Sequence, residues 1–100
     1  MIKNITTVNF DKEVLQSEKP VLVDFWAAWC TPCKMLSPTV DLIAKERNDI
    51  KVCKVNIDQE SALAMRYGIM SIPSLILFKD GEIVNKSIGL VSKEEIEDML

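Results

Sequence analysis

A pair of cysteines separated by two residues is the feature of this sequence best suited to chemistry. Cys30 and Cys33 lie in the segment Trp29-Cys30-Thr31-Pro32-Cys33. If this segment opens a helix, the spacing puts both sulfurs on one face, close enough to form a disulfide. The first helical turn also presents free N–H groups and the positive end of the helix dipole, which favour a thiolate on Cys30. The pair therefore predicts dithiol–disulfide exchange, provided that a sulfur can be reached from solvent.

Zinc sites use the same cysteine spacing, so the spacing alone does not decide between metal and redox chemistry. The chain has three cysteines and no histidine, which is too few ligands for a four-ligand zinc site. Pro32 suits the first turn of a helix, where its missing N–H donor costs nothing. This context favours redox chemistry and no metal, and the alternative is a metal held by Cys30 and Cys33 in a dimer. We expect Cys53 to be a small buried hydrophobe.

A carboxylate lies inside the apolar run that precedes the cysteines. Residues 21–27 read VLVDFWA, with Asp24 at their centre. Burial disfavours a charged carboxylate and raises its pKa, so that it exchanges a proton near neutral pH. We interpret Asp24 as the proton acceptor and donor for Cys33. The alternative is a hydrogen-bonded structural acid or a solvated face.

The elements that position these residues follow from the pattern of apolar side chains. Runs rich in β-branched and other apolar residues predict buried strands at residues 21–27, 51–57 and 74–78. A turn signal after the last run predicts that residues 83–88 return antiparallel to it. Residues 2–7 form a weaker strand prediction.

We predict helices at residues 10–17, 33–48, 60–67 and 92–100. The first is the weaker candidate, and the second rests on apolar residues that recur at helical spacing. We expect Asn9 to cap the first of these, Asp58 to open the third and Gly68 to close it. Ser92 and Glu95 predict a capping box at the start of the last.

The order of elements, β-α-β-α-β-α-β-β-α, predicts an α/β fold. Early alternation implies parallel strands, and the late hairpin implies antiparallel ones. We expect a mixed sheet of five strands, or of four if the opening segment does not pair, with helices on both faces. Residues 1–100 are expected to form a single domain.

Composition excludes several classes of function. The net charge is −3, and without a Lys/Arg cluster we expect no nucleic-acid partner. No apolar run approaches the ~20 residues of a membrane span, so we expect no membrane association. No export signal is recognised and the cysteines form no even framework, which predicts the cytoplasm. No glycine-rich dinucleotide fingerprint occurs, so we expect no bound cofactor.

Two long segments carry a family resemblance. VDFWAAWCTPCKMLSP resembles the active-site region of the thioredoxin family, whose usual form is WCGPCK after an acid-bearing strand. YGIMSIPSLILFKDGE resembles the stretch that holds the family's cis-proline, and Gly89 fits a glycine near the end. The resemblance covers almost the whole chain in the expected order. It implies the thioredoxin fold.

The resemblance also implies roles for the reacting groups. Cys30 would be the attacking thiolate and Cys33 the resolving one, and together they would form the redox disulfide. Asp24 would be the buried acid, with Lys54 as its neighbour on the adjacent strand.

Around these groups, the resemblance implies a docking surface for partner proteins. Pro73 would be the cis-proline beside the disulfide, and Ile72 would offer backbone hydrogen bonds to an extended substrate. Trp29, Ile72 and Gly89 would line a shallow apolar surface, with Trp26 packed beneath the site.

The implied function is a general protein-disulfide reductase that acts on disulfide-containing proteins, as a monomer, with a thioredoxin reductase as electron donor. Ser74 stands where the family usually has threonine, and Thr31 where it usually has glycine. Because the residues between the cysteines help to set the relative stability of dithiol and disulfide, Thr31 leaves the value of the reduction potential undetermined by the resemblance. The alternatives are a thiol oxidant or isomerase of the same fold, and a non-catalytic binding module.

Overall fold

A computed structural model describes residues 2–100 of the chain. The elements occur in the predicted order, with a π-helical turn in place of the first helix. In chain order they are β1 (Ile2–Asn4), the π-helical turn (Asp11–Leu15), β2 (Val21–Trp26), α1 (Thr31–Glu46), β3 (Lys51–Asn56), α2 (Ser61–Arg66), β4 (Ser74–Lys79), β5 (Glu82–Ile88) and α3 (Lys93–Met99). No helix within this described range is long and apolar enough to cross a membrane.

Across residues 2–100, five strands form one sheet in the order β1-β3-β2-β4-β5. β1, β3 and β2 run parallel, whereas β4 and β5 are antiparallel to their neighbours. The mixed sheet is therefore confirmed, with the opening segment as its fifth strand. β2 lies at the centre, hydrogen-bonded on both sides, and its first five residues are buried.

The alternating side chains of β2 supply an apolar layer on each face of the sheet. Val23 packs with Phe10 of the first turn and Leu63 of α2. Leu22 packs on the opposite side with residues of α1 and α3, including Leu36 and Ile96. The prediction of helices on both faces is confirmed.

The first predicted helix is present as a short π-helical turn, Asp11–Leu15, but its predicted cap was wrong. The N-cap is Phe10, with no side-chain hydrogen bond. Asn9 does not cap this turn, because its Oδ1 accepts the backbone N–H of Thr6 at 2.8 Å. The same hydrogen bond closes a turn after β1, which ends at Asn4 rather than at Thr7.

Other helix boundaries also moved. α1 begins at Thr31, two residues before the predicted start, and ends at Glu46. Asp58 does not open α2, whose N-cap is Glu60. The two remaining signals are confirmed: Gly68 follows α2 with a positive φ of 61°, and Ser92 and Glu95 form a capping box on α3.

Phe10 tests the packing of the first turn against the sheet. Its side chain is fully buried, with its ring 5.4 Å from that of Tyr67 and 5.8 Å from that of Phe78. We expect Phe10→Ala to lower the free energy of unfolding by about 3–5 kcal/mol, because it removes apolar contact and leaves a cavity. Val8→Ala is the control, since Val8 is 95% exposed and should change stability by less than about 0.5 kcal/mol. Equal effects of both in urea unfolding would contradict this packing.

Candidate functional site

The two predicted cysteines lie together where β2 gives way to α1. They are joined as a disulfide, with their Cα atoms 5.2 Å apart. Cys30 is the N-cap of α1, and its Sγ accepts the backbone N–H of Cys33 at 3.2 Å. A sulfur in this position takes the place of a capping oxygen and lies at the positive end of the helix dipole.

Local sequence explains why the helix begins at this point. The Cys30 N–H donates to the Ala27 carbonyl oxygen at 3.2 Å, which closes a turn directly after β2. Thr31 and Pro32 then enter the first turn of α1, where proline's missing donor leaves no hydrogen bond unmade. The Lys34 N–H donates to the Cys30 carbonyl oxygen at 3.2 Å, so that Cys33 lies one turn along the helix.

Access to the disulfide is narrow. Cys30 and Cys33 are each 4% exposed, whereas neighbouring Trp29 is 68% exposed. The Trp29 indole N–H donates to Asp58 Oδ2 at 2.8 Å, which fixes the ring beside the site. The sequence does not indicate this role of Asp58, because an aspartate just before a helix predicts a cap.

The predicted proline segment adjoins the same disulfide. The Ile72–Pro73 peptide bond is cis, and the Ile72 carbonyl oxygen lies 3.8 Å from Cys30 Sγ. The Gly89 N–H donates to the Pro73 carbonyl oxygen at 2.8 Å. Ile72 and Trp26 both pack against the cluster that contains the two cysteines. Ile72 thus lies beside Cys30, and Gly89 is joined to the same segment through Pro73.

Asp24 is buried on β2, as its apolar surroundings predict. It is 2% exposed, and its Oδ1 has no hydrogen-bond partner among residues 2–100. Burial raises the pKa of Asp24 from 3.8 to about 6, the positive charge of Lys54 opposes this shift, and the negative charge of Asp41 adds to it. The carboxyl group can therefore gain and lose a proton near neutral pH.

Lys54 is the strand neighbour of Asp24, but its ammonium group is bonded elsewhere. The two residues are partners in the β2–β3 register. Lys54 Nζ donates to Ser37 Oγ at 2.8 Å and to Asp41 Oδ1 at 3.0 Å. Sequence reasoning missed both acceptors, because the strand pairing gives no information on where a long side chain ends.

A cavity of about 410 Å³ connects the buried acid with the deeper cysteine. It has room for several water molecules and is lined by polar as well as apolar groups. The lining residues are Asp24, Trp26, Ala27, Ala28, Cys33, Lys34, Ser37 and Lys54. A larger groove of about 670 Å³ lies between the π-helical turn and the end of α1. That groove contains no cysteine, and its Lys51 is already paired with Glu13 at 2.7 Å.

The remaining candidates for chemistry are few. Cys53 is fully buried on β3, and burial raises the pKa of its thiol to about 11, so it carries no thiolate at neutral pH. Within residues 2–100, no group of three or more Cys, Asp or Glu side chains is placed to hold a metal ion. In the same range, no hydrogen bond joins the Thr31 hydroxyl to the Cys30 sulfur.

Comparison with known proteins gives consistent matches over the full length. A family model described as Thioredoxin matches residues 1–100. A thioredoxin of Rickettsia felis is 50% identical over 101 residues, covering 100% of this chain and 96% of the relative. A thioredoxin of Porphyra purpurea is 49% identical, covering 99% and 94%. One of Pseudomonas aeruginosa is 43% identical, covering 99% and 93%.

The raised pKa of Asp24 predicts how stability depends on pH. The folded state binds this proton more tightly than the unfolded state, so its contribution to stability is full below pH 3.8 and is lost as the pH rises through about 6. The shift corresponds to about 3 kcal/mol. We therefore expect the stability of the wild type, relative to Asp24→Asn, to fall by about this amount between acid and neutral pH. Urea unfolding of both oxidised proteins across this pH range measures the difference, and parallel curves would contradict it.

Proposed function

This chain belongs to the thioredoxin family and is a protein-disulfide oxidoreductase, and we propose that Cys30 and Cys33 are the pair through which it reduces other proteins. One observation carries the proposal. Cys30 Sγ caps α1 and accepts the Cys33 N–H at 3.2 Å. Because the same hydrogen bond and the helix dipole favour negative charge on this sulfur, Cys30 is the nucleophile of the pair.

The first step forms a mixed disulfide. The Cys30 thiolate attacks one sulfur of a partner's disulfide, a Cys30–partner S–S bond forms, and the partner's other sulfur leaves as a thiolate that takes a proton from water. We assign docking to the surface of Trp29, Ile72 and Gly89, which surrounds Cys30. The 4% exposure of Cys30 means that an extended partner segment must lie directly against this surface to bring its sulfur into line.

The second step releases the partner. The Asp24 carboxylate takes the thiol proton of Cys33 through water in the cavity that both residues line. The Cys33 thiolate then attacks Cys30 Sγ, so that the Cys30–Cys33 disulfide forms as the Cys30–partner bond breaks. The partner's sulfur leaves as a thiolate that takes a proton from water, and the partner is released as a dithiol. Two electrons have passed from this chain to the partner.

Further turnover needs a reductant. We assign this role to a thioredoxin reductase, which would return two electrons to the Cys30–Cys33 disulfide. We further propose that residues 1–100 are a single domain that works as a monomer, since a second copy on the Trp29 surface would compete with substrate. The buried, unpaired Cys53 supports a reducing compartment, the cytoplasm.

Replacing each cysteine separates the two steps. We expect Cys30→Ser to abolish insulin reduction in a turbidity assay with a chemical dithiol as donor, because no nucleophile remains. Cys33→Ser should instead accumulate a mixed disulfide with the partner, visible by mass spectrometry and lost on reduction. Cys53→Ala is the matched control and should retain activity. Full activity of Cys30→Ser would remove Cys30 from the nucleophile's role.

Asp24→Asn tests the assigned base. We expect disulfide formation between Cys30 and Cys33 to slow by about 100-fold or more at neutral pH when excess disulfide substrate makes the second step limiting, because a positioned base is lost. Stopped-flow tryptophan fluorescence follows this step, since Trp29 lies beside the disulfide. An unchanged rate across the pH range would exclude Asp24 as the base.

A further inference from the structure

The arrangement around Lys54 points to a residue outside the assigned machinery. We propose that Asp41 is a positioning residue for disulfide exchange, which holds the Lys54 ammonium group away from the Asp24 carboxylate and so keeps Asp24 free to take up the Cys33 proton. The proposal rests on the proposed function of Asp24 and adds a residue that acts on it through Lys54.

A repeat in α1 creates this arrangement. Cys33, Ser37 and Asp41 follow one another at four-residue spacing, which lines them up along one face of the helix. Cys33 and Ser37 line the cavity that contains Asp24, and Asp41 extends the same row by one turn to a position where its side chain is 54% exposed. These three residues therefore extend from the resolving cysteine toward solvent, on the side of α1 that contacts Lys54.

The Lys54 ammonium group can form a direct ion pair with either Asp24 or Asp41. It pairs with Asp24 in strand register, and both line the cavity, so a lysine side chain is long enough to turn toward either acid. Its Nζ instead donates to Ser37 Oγ and Asp41 Oδ1, while Asp24 Oδ1 has no hydrogen-bond partner within residues 2–100. The Lys54 side chain is only 14% exposed, so its ammonium group depends on acceptors within the protein rather than on water.

This choice of partner matters for a proton carrier. A direct ion pair with Lys54 would stabilise the Asp24 carboxylate and make it a weaker base toward the Cys33 thiol. With Lys54 held by Asp41, burial dominates and the pKa of Asp24 is about 6, close to the pH at which a general base works best. The charged or titratable groups near Asp24 are Lys54 on β3 and Cys33, Lys34 and Asp41 on α1; β4 presents Leu75 opposite it.

Asp41→Asn tests the proposal directly. It removes the negative charge that holds the Lys54 ammonium group, so Lys54 turns toward Asp24 and the pKa of Asp24 falls, by about half a unit to one unit. Carboxyl ¹³C NMR of the oxidised protein measures this pKa, and stopped-flow measures whether the midpoint of the second step moves in the same direction. Asp98→Asn is the matched control, because it removes an equal charge from an exposed site on α3.

Two further variants separate positioning from simple charge. Asp41→Glu keeps the anchor and should retain most of the wild-type pKa of Asp24. In a Lys54→Gln background, Asp41→Asn should shift the pKa by less than half as much as in the wild type. An equal shift with and without Lys54, an unchanged pKa, or a loss of thermal stability alone would each overturn the proposal.

The outcome is also distinguishable from failure of the proposed function. If Asp24→Asn leaves the second step unaltered, Asp24 is not the base, whatever Asp41 does. If Asp24→Asn slows that step but Asp41→Asn moves neither the pKa nor the midpoint, only the role of Asp41 is refuted. Ser37→Ala removes the other acceptor of Lys54 and should lower the pKa of Asp24 in the same direction by a smaller amount.

Discussion

The hydrogen bond from the Cys33 N–H to Cys30 Sγ is the interaction on which the site depends. It requires Cys30 to cap α1, Cys33 to lie one turn along, and the helix to start directly after the central strand. Pro32 favours this start of the helix, because its missing N–H leaves no hydrogen bond unmade in the first turn of α1. The first N–H groups of any helix lack acceptors within the helix, and here the Cys30 sulfur accepts one of them.

The buried acid places a second constraint on the fold. β2 is hydrogen-bonded on both sides and covered on both faces, and Asp24 lines the cavity beside Cys33. A structure selected for stability alone would favour an apolar residue at this position, because a charged carboxylate costs free energy when buried. The protein instead has a carboxyl group whose ionisation lowers the stability of the fold. A group that ionises with difficulty when buried can exchange a proton near neutral pH.

The surface around Cys30 depends on contacts between segments far apart in the chain. Trp29 is fixed by Asp58, from the segment after β3, and Pro73 receives the N–H of Gly89, from the end of β5. The sheet brings these segments together because β2 pairs with both β3 and β4. A surface held in place by such contacts needs little rearrangement to bind another protein.

Local sequence determined the cysteine pair, the buried acid, the order of elements and the mixed sheet, because spacing and periodicity express the geometry of single helices and strands. The tertiary structure alone decided which partners the long-range polar side chains bind: Asp58 accepts from Trp29, and Lys54 donates to Ser37 and Asp41. Each of these donors has several acceptors of similar strength within reach in the folded chain, and packing determines which one it bonds. A sequence pattern gives the direction in which a side chain leaves the backbone, but the partner of a long or polar side chain depends on packing between distant segments.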